Sequence, residues 1–154
     1  MVPRIDHIEL TVADLDRAER FYDTLLPLLG FDLKHKAREE FPEHQHIELD
    51  YATAEFSLGL VCPRPVLAGE AVCRRRPGAL HHLAFGVETW EQVDALYARV
   101  QAIPGGKIRI PPRAYPEYTP DYYAFFFYDT EGMELEIVSF QRARYFDGQT
   151  GREG

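Results

Sequence analysis

Two segments of this chain read alike at one constant offset. His7-Ile-Glu-Leu-Thr-Val12 and His82-Leu-Ala-Phe-Gly-Val87 each lead into a helical pattern, which carries Tyr22 or Tyr97 and ends at Gly30 or Gly105. A chain built from two copies of one unit folds as two similar modules and places equivalent side chains in equivalent positions. The repeat therefore constrains the fold, and it also offers two equivalently placed histidines from which a metal site could be assembled.

The hydrophobic pattern of the two halves agrees with that duplication. From Ile5 to Val12 the apolar residues Ile8, Leu10 and Val12 alternate with His7, Glu9 and Thr11, the period of a strand with one face on a core. Asp14 is a helix N-cap, and Leu15, Ala18, Phe21, Tyr22, Leu25 and Leu29 then recur at helical spacing up to Gly30. In the second half His82 to Val87 reads as the strand and Thr89-Trp-Glu-Gln92 as a capping box. Val93, Leu96, Tyr97, Val100 and Ile103 form a helical stripe that stops at Pro104-Gly105-Gly106. Strand-like runs follow each helix, at 31–36, 46–51 and 55–61 in the first half and at 107–110, 122–128 and 133–140 in the second.

Each half thus reads strand, helix, strand, strand, strand. The expected fold is α+β: one domain over 1–145, with repeat one at 5–61, a Pro- and Gly-containing linker at 62–80, repeat two at 81–140, and a polar tail at 146–154. Two such βαβββ modules, each a curved mixed sheet with a helix on one face, form an open cleft whose walls are the strand side chains.

Composition narrows the partners. The 45% hydrophobic content, with ten Phe and nine Tyr, is that of a folded globular chain. A formal net charge of −8 repels a phosphate backbone, and the one dense basic run, Arg74-Arg75-Arg76, lies in the linker and reads as solvated, so no nucleic acid partner is expected. Cys62 and Cys73 match no zinc or redox spacing and read as free thiols of a reducing compartment. With no stretch long enough for a membrane span and no apolar leader core, the expected location is cytoplasmic, with no membrane partner.

The last strong feature is Asp129-Thr-Glu-Gly132-Met-Glu-Leu-Glu136, a turn at Gly132 leading into a strand on which Glu134 and Glu136 share a face. Carboxylates inside a core strand are costly unless paired, and a metal ion would be such a partner. With His-x-x-x-x-Val opening each half, Phe21-Tyr22 followed by Leu29-Gly30-Phe31, and Glu four residues past Gly132, the chain resembles the vicinal oxygen chelate superfamily. That group includes glyoxalase I, bleomycin-resistance proteins and extradiol dioxygenases. The resemblance covers roughly residues 5–140.

It implies a divalent ion held by His7, His82 and Glu136, Fe(II) or Mn(II) ahead of Zn(II) or Ni(II), with open positions for two adjacent oxygens of a small organic substrate. Glyoxalase I and several relatives have a further carboxylate ligand on the last strand of the first half. Matching Asp50 with Asp129 puts Ser57 there, and a shift of one puts Leu58. Neither is a carboxylate, which favours the three-ligand pattern of non-haem iron and a dioxygenase-like reaction over a glyoxalase- or lyase-like one.

Glu134 is in phase with Glu136 and could stand in its place. Glu48 is a further ligand candidate, His44 and His46 read as exposed strand histidines, and His81 reads as a side chain on the face opposite His82. The proline-stiffened segment from Arg113 to Tyr123 packs four tyrosines and an arginine, of which Tyr123 and Arg113 are the candidate substrate-binding or proton-donating groups. The bland reading of the same segment is a rigid loop over the sheet or a dimer contact. The rival function is a non-catalytic binding module of the bleomycin-resistance kind. The resemblance also implies a homodimer, with the metal ligands drawn from one chain or from two.

Overall fold

A computed structural model describes residues 3–145; the polar tail at 146–154 lies outside the described residues. The first half contains β1 (His7–Thr11), α1 (Leu15–Leu25), β2 (Lys36–Phe41), β3 (His46–Ala52) and β4 (Ser57–Val61). The second contains β5 (Leu83–Val87), α2 (Trp90–Val100), β6 (Lys107–Ala114), β7 (Tyr123–Tyr128) and β8 (Glu134–Ser139). The strand orders are β1-β4-β3-β2 and β5-β8-β7-β6, so both halves share one topology. In each, the first strand runs parallel to the last and the other pairings are antiparallel. Two open mixed sheets with one helix apiece are what the duplicated pattern implies.

Local chemistry sets the helix limits. Asp14 caps α1 by accepting from the Arg17 N–H, and Thr89 with Gln92 forms a complete capping box on α2. Pro27 ends α1 earlier than its apolar stripe suggests. Its ring cannot extend the helix, so Leu26–Leu29 continue as a 3-10 turn that Gly30 closes at φ 91°. The run 31–36 is not a strand: Leu33–His35 form a 3-10 turn, and β2 lies at Lys36–Phe41.

Alternation then sorts the side chains. Leu10, Leu49, Tyr51, Leu58 and Leu60 of the first sheet, and Phe125, Phe127, Leu135 and Ile137 of the second, join the apolar faces of α1 and α2 in one core that spans both halves. Polar ties hold the halves in place. The buried Tyr22 hydroxyl donates to Asp129 Oδ2 at 2.8 Å, and Arg17 grips the buried Glu131 through two hydrogen bonds of 2.7 and 2.9 Å. Asp129 also accepts from the Glu131 and Met133 N–H groups, which shapes the turn at Gly132 (φ 86°) that starts β8. The Asp129-x-x-Gly132 motif is therefore structural, and its consequence is the placement of β8.

With the core side filled, the other face of each sheet carries the polar residues: His7, Glu9, Glu48, Asp50 and Ser57 on the first, and Glu134 and Glu136 on the second.

Candidate metal centre

Glu136 sits in the middle of β8 with 1% of its surface exposed. Its strand neighbours are Ala84 of β5 and Phe126 of β7, and the small alanine leaves room above the sheet for the carboxylate. Tyr122, just before β7, donates its hydroxyl to Glu136 Oε1 at 2.7 Å, while His82 Nε2 lies 3.2 Å from Oε2. Burial raises the Glu136 carboxyl above its usual value, opposed by the Tyr122 hydrogen bond and by His82. Burial and the same hydrogen bond push the Tyr122 phenol upward, so it stays a donor at neutral pH.

The residues around this pair fix it in place. His82 Nδ1 lies 2.8 Å from His81 Nδ1, which leaves Nε2 turned to Glu136. Arg74 Nη1 is 2.9 Å from His81 Nε2 and reaches Glu134 Oε2 at 2.6 Å as a charge contact off the line of a hydrogen bond. Arg109 donates to the other oxygen of Glu134 at 2.7 Å. Burial and the Arg74 charge lower the His81 pKa.

This donor set fits a divalent cation. Bonds of about 2.1 Å at right angles would hold two ligand atoms about 3 Å apart, and the imidazole nitrogen and carboxylate oxygen are already 3.2 Å apart. A buried carboxylate whose second oxygen faces only an imidazole is also a group that a cation would stabilise.

His7 stands elsewhere. Its Nδ1 is 2.9 Å from Asp6 Oδ2, and that hydrogen bond raises the ring's pKa. The ring borders a cavity of about 250 Å³ lined by His7, Glu9, Glu48, Asp50, Ser57, Gly59 and their neighbours, all from the first half. Among the described residues of one chain, no group of three or more His, Cys, Asp or Glu side chains could hold a metal ion. One chain thus brings His82 and Glu136 together and leaves His7 apart.

The other candidates fall as follows. Glu134 shares the face of Glu136 but is neutralised by two arginines. Glu48 is bound to His46 at 2.7 Å in the first sheet, and His44 lies in a 3-10 turn. Tyr123 is turned to the helix side, where it stacks on Trp90 and donates to Asp94. Arg113 is exposed, pairs with Glu117 and covers the Tyr115 ring at 3.8 Å. The phenol that reaches the site is Tyr122, one residue before Tyr123, and the alternation of β7 was the signal for it. Arg74 does not belong to a freely solvated run, because its side chain is only 20% exposed and anchored on buried Glu134. His81 lies beside His82, since both precede β5 and strand alternation does not apply to them.

The repeat partner of Glu136 also differs from expectation. Ile8 pairs with Leu58 as Leu83 pairs with Leu135, so the position equivalent to Glu136 is Gly59, not Ser57 or Leu58. The reason is the anchor: Asp50 lies inside β3 and pairs with Gly59 as Phe126 of β7 pairs with Glu136, so the counterpart of Asp50 is Phe126 and not Asp129.

The fold agrees with what known proteins show. The model of the Glyoxalase/Bleomycin resistance protein/Dioxygenase superfamily matches residues 4–137, and the chain belongs to that superfamily. Similar solved structures include a glyoxylase/bleomycin resistance protein/dioxygenase domain from Frankia sp. EAN1pec, at 23% identity and TM-score 0.72, covering 92% of this chain and 100% of that one. A putative glyoxalase from Bacillus halodurans has 25% identity and TM-score 0.67, covering 88% and 95%. The fosfomycin resistance protein FosX from Listeria monocytogenes, solved with Mn(II) and sulfate, has 18% identity and TM-score 0.63, covering 95% and 99%. No curated protein sequence matches the chain. Among the described residues no helix is long and apolar enough to cross a membrane.

Proposed function

We propose that the protein is a divalent-metal-dependent enzyme acting on a small organic substrate that presents two neighbouring oxygens. The observation that carries this reading is the buried Glu136 carboxylate, held by Tyr122 on one oxygen and facing His82 Nε2 with the other. His82 and Glu136 of one chain hold the ion together with His7 of a second copy, because one chain keeps His7 apart from the other two. Fe(II) and Mn(II) rank ahead of Zn(II) and Ni(II) for an imidazole and carboxylate set, and the Mn(II) in the Listeria relative supports that order. When bound, the ion supplies Lewis-acid polarisation of the chelated oxygens.

The chain's own groups do the rest. Tyr122 fixes Glu136 and holds a proton beside the site. His81 holds the His82 ring in one orientation. Tyr115, Phe126 and Phe140, packed around Tyr122, form an apolar wall against water. The reaction is dioxygenase-like or glyoxalase- and lyase-like. The free thiols of Cys62 and Cys73 support a cytoplasmic setting.

Elemental analysis of protein purified without chelator or a metal-affinity column, combined with sizing, tests the proposal. The expected result is a dimer carrying roughly one divalent ion per chain. The aromatic wall favours one rival, sequestration of a flat drug without catalysis. A metal-free protein that binds such a drug at micromolar concentration would establish that rival.

A further inference from the structure

The two modules distribute one carboxylate differently over the same pair of strands. In the second sheet the paired positions are Ala84 on the first strand and Glu136 on the last. In the first sheet the equivalent pair is Glu9 and Gly59. The two are reversed: each pair holds one glutamate and one residue small enough to lie beneath it.

The contact geometry shows the exchange directly. A Cβ built on Gly59 would lie 2.8 Å from Glu9 Cγ, so the Glu9 side chain crosses from β1 onto β4 and fills the space a side chain at 59 would take. Glu9 also shares a face with His7, two residues before it on β1, and both border the same cavity.

Resting on the metal site proposed above, we infer that Glu9 is a fourth protein ligand, supplied by β1 where the repeat would supply it from β4. The site then combines His7 and Glu9 of one copy with His82 and Glu136 of the other. Asp50, which pairs with Gly59 from β3, borders the same cavity but leaves the space over Gly59 to Glu9.

The count of ligands decides the class of reaction. A six-coordinate ion with three protein ligands has room for a two-oxygen chelate and O₂ together, whereas four protein ligands leave room for the chelate alone. The substrate is therefore rearranged, cleaved or added to without an external oxidant, and the chemistry is that of an isomerase or lyase. This reverses the lean toward oxygen chemistry that the missing carboxylate at Ser57 or Leu58 suggested.

The test is titration of the metal-free dimer with Mn(II) for affinity and with Co(II) for its visible absorption, which reports coordination number. Glu9→Gln should weaken Mn(II) binding by at least about tenfold, the scale on which even residues behind the ligands act, and should change the Co(II) spectrum. Asp50→Asn should do neither. Moving the carboxylate back, in the double variant Glu9→Gly with Gly59→Glu, should restore affinity. Unchanged affinity and spectrum in Glu9→Gln, or an equal loss in Asp50→Asn, would overturn the fourth ligand. Full metal binding by Glu136→Gln would instead remove the proposed site itself, so the two failures are distinguishable.

Discussion

The two sheets share a topology but treat their polar faces in opposite ways. On the second, Glu134 and Glu136 are almost wholly buried and every partner is specified: two arginines for one, a tyrosine and a histidine for the other. On the first, His7 and Glu9 border an open cavity, and the partner of His7 is its exposed neighbour Asp6. Duplication gave both faces the same backbone, and divergence made one a fully paired polar cluster and the other an accessible surface. A buried carboxylate must be satisfied within its own chain, whereas an exposed histidine can wait for a second copy.

The largest effect is expected at Glu136. Glu136→Ala should abolish stoichiometric metal binding, measured by elemental analysis after loading and desalting, and retention of the ion would show that the buried carboxylate is not the metal's main anchor.

Next in size is the tie between the halves. Tyr22→Phe removes the hydroxyl from buried Asp129 and should cost about 2 kcal/mol, since hydrogen bonds to charged groups contribute on that scale. Calorimetry should show a melting temperature lower by roughly 4 to 8 °C. An unchanged melting temperature would mean that this hydrogen bond adds nothing to the tie between the halves.

The pH dependence of the metal-free protein is a finer probe. Because burial raises the Glu136 carboxyl in the folded state, the folded chain binds that proton more tightly than the unfolded one. This group's contribution is then most favourable below the unfolded value of about 4.3 and declines as pH rises through the folded value. Glu136→Gln should melt higher than the parent at pH 7 to 8, with the gap closing toward pH 4. A constant gap across that range would assign the effect to packing.

The smallest effect separates buried from exposed ion pairs. Arg74→Gln leaves buried Glu134 with Arg109 alone and should lower the melting temperature measurably. Arg4→Gln at the first sheet's margin breaks a pair whose side chains are 82% and 75% exposed, and should leave the melting temperature unchanged.

The fold was legible where periodicity carried it. The two opening strands, the capped helices and the apolar strands β3, β4, β7 and β8 all appear in the pattern. β2 did not, because Lys36–Phe41 is an edge strand with four of six residues exposed and no alternation to read. β6 continues through Pro111 and Pro112, which the sequence places in a loop. It can do so because it is an edge strand with two register shifts, where a missing N–H breaks no ladder.

At the candidate site, Glu136 and His82 could be named from motif spacing, but the register could not. Matching Asp50 with Asp129 misaligned the halves, because Asp50 lies within β3, paired with Gly59, whereas Asp129 lies in the turn after β7. Tyr122 was readable from the alternation of β7, whereas Arg74 and Glu9 were not, because what their side chains meet, Glu134 and Gly59, is set by pairing in space.

Mixing of subunits tests most directly whether the metal site joins His82 and Glu136 of one chain to His7 of another. His7→Ala and Glu136→Ala homodimers should each fail to hold the ion. In a mixed dimer one of the two sites would have every ligand intact. Such dimers, formed by refolding the two variants together, should recover about one ion per pair of chains. No recovery, in mixed dimers whose formation is verified by mass, would contradict it.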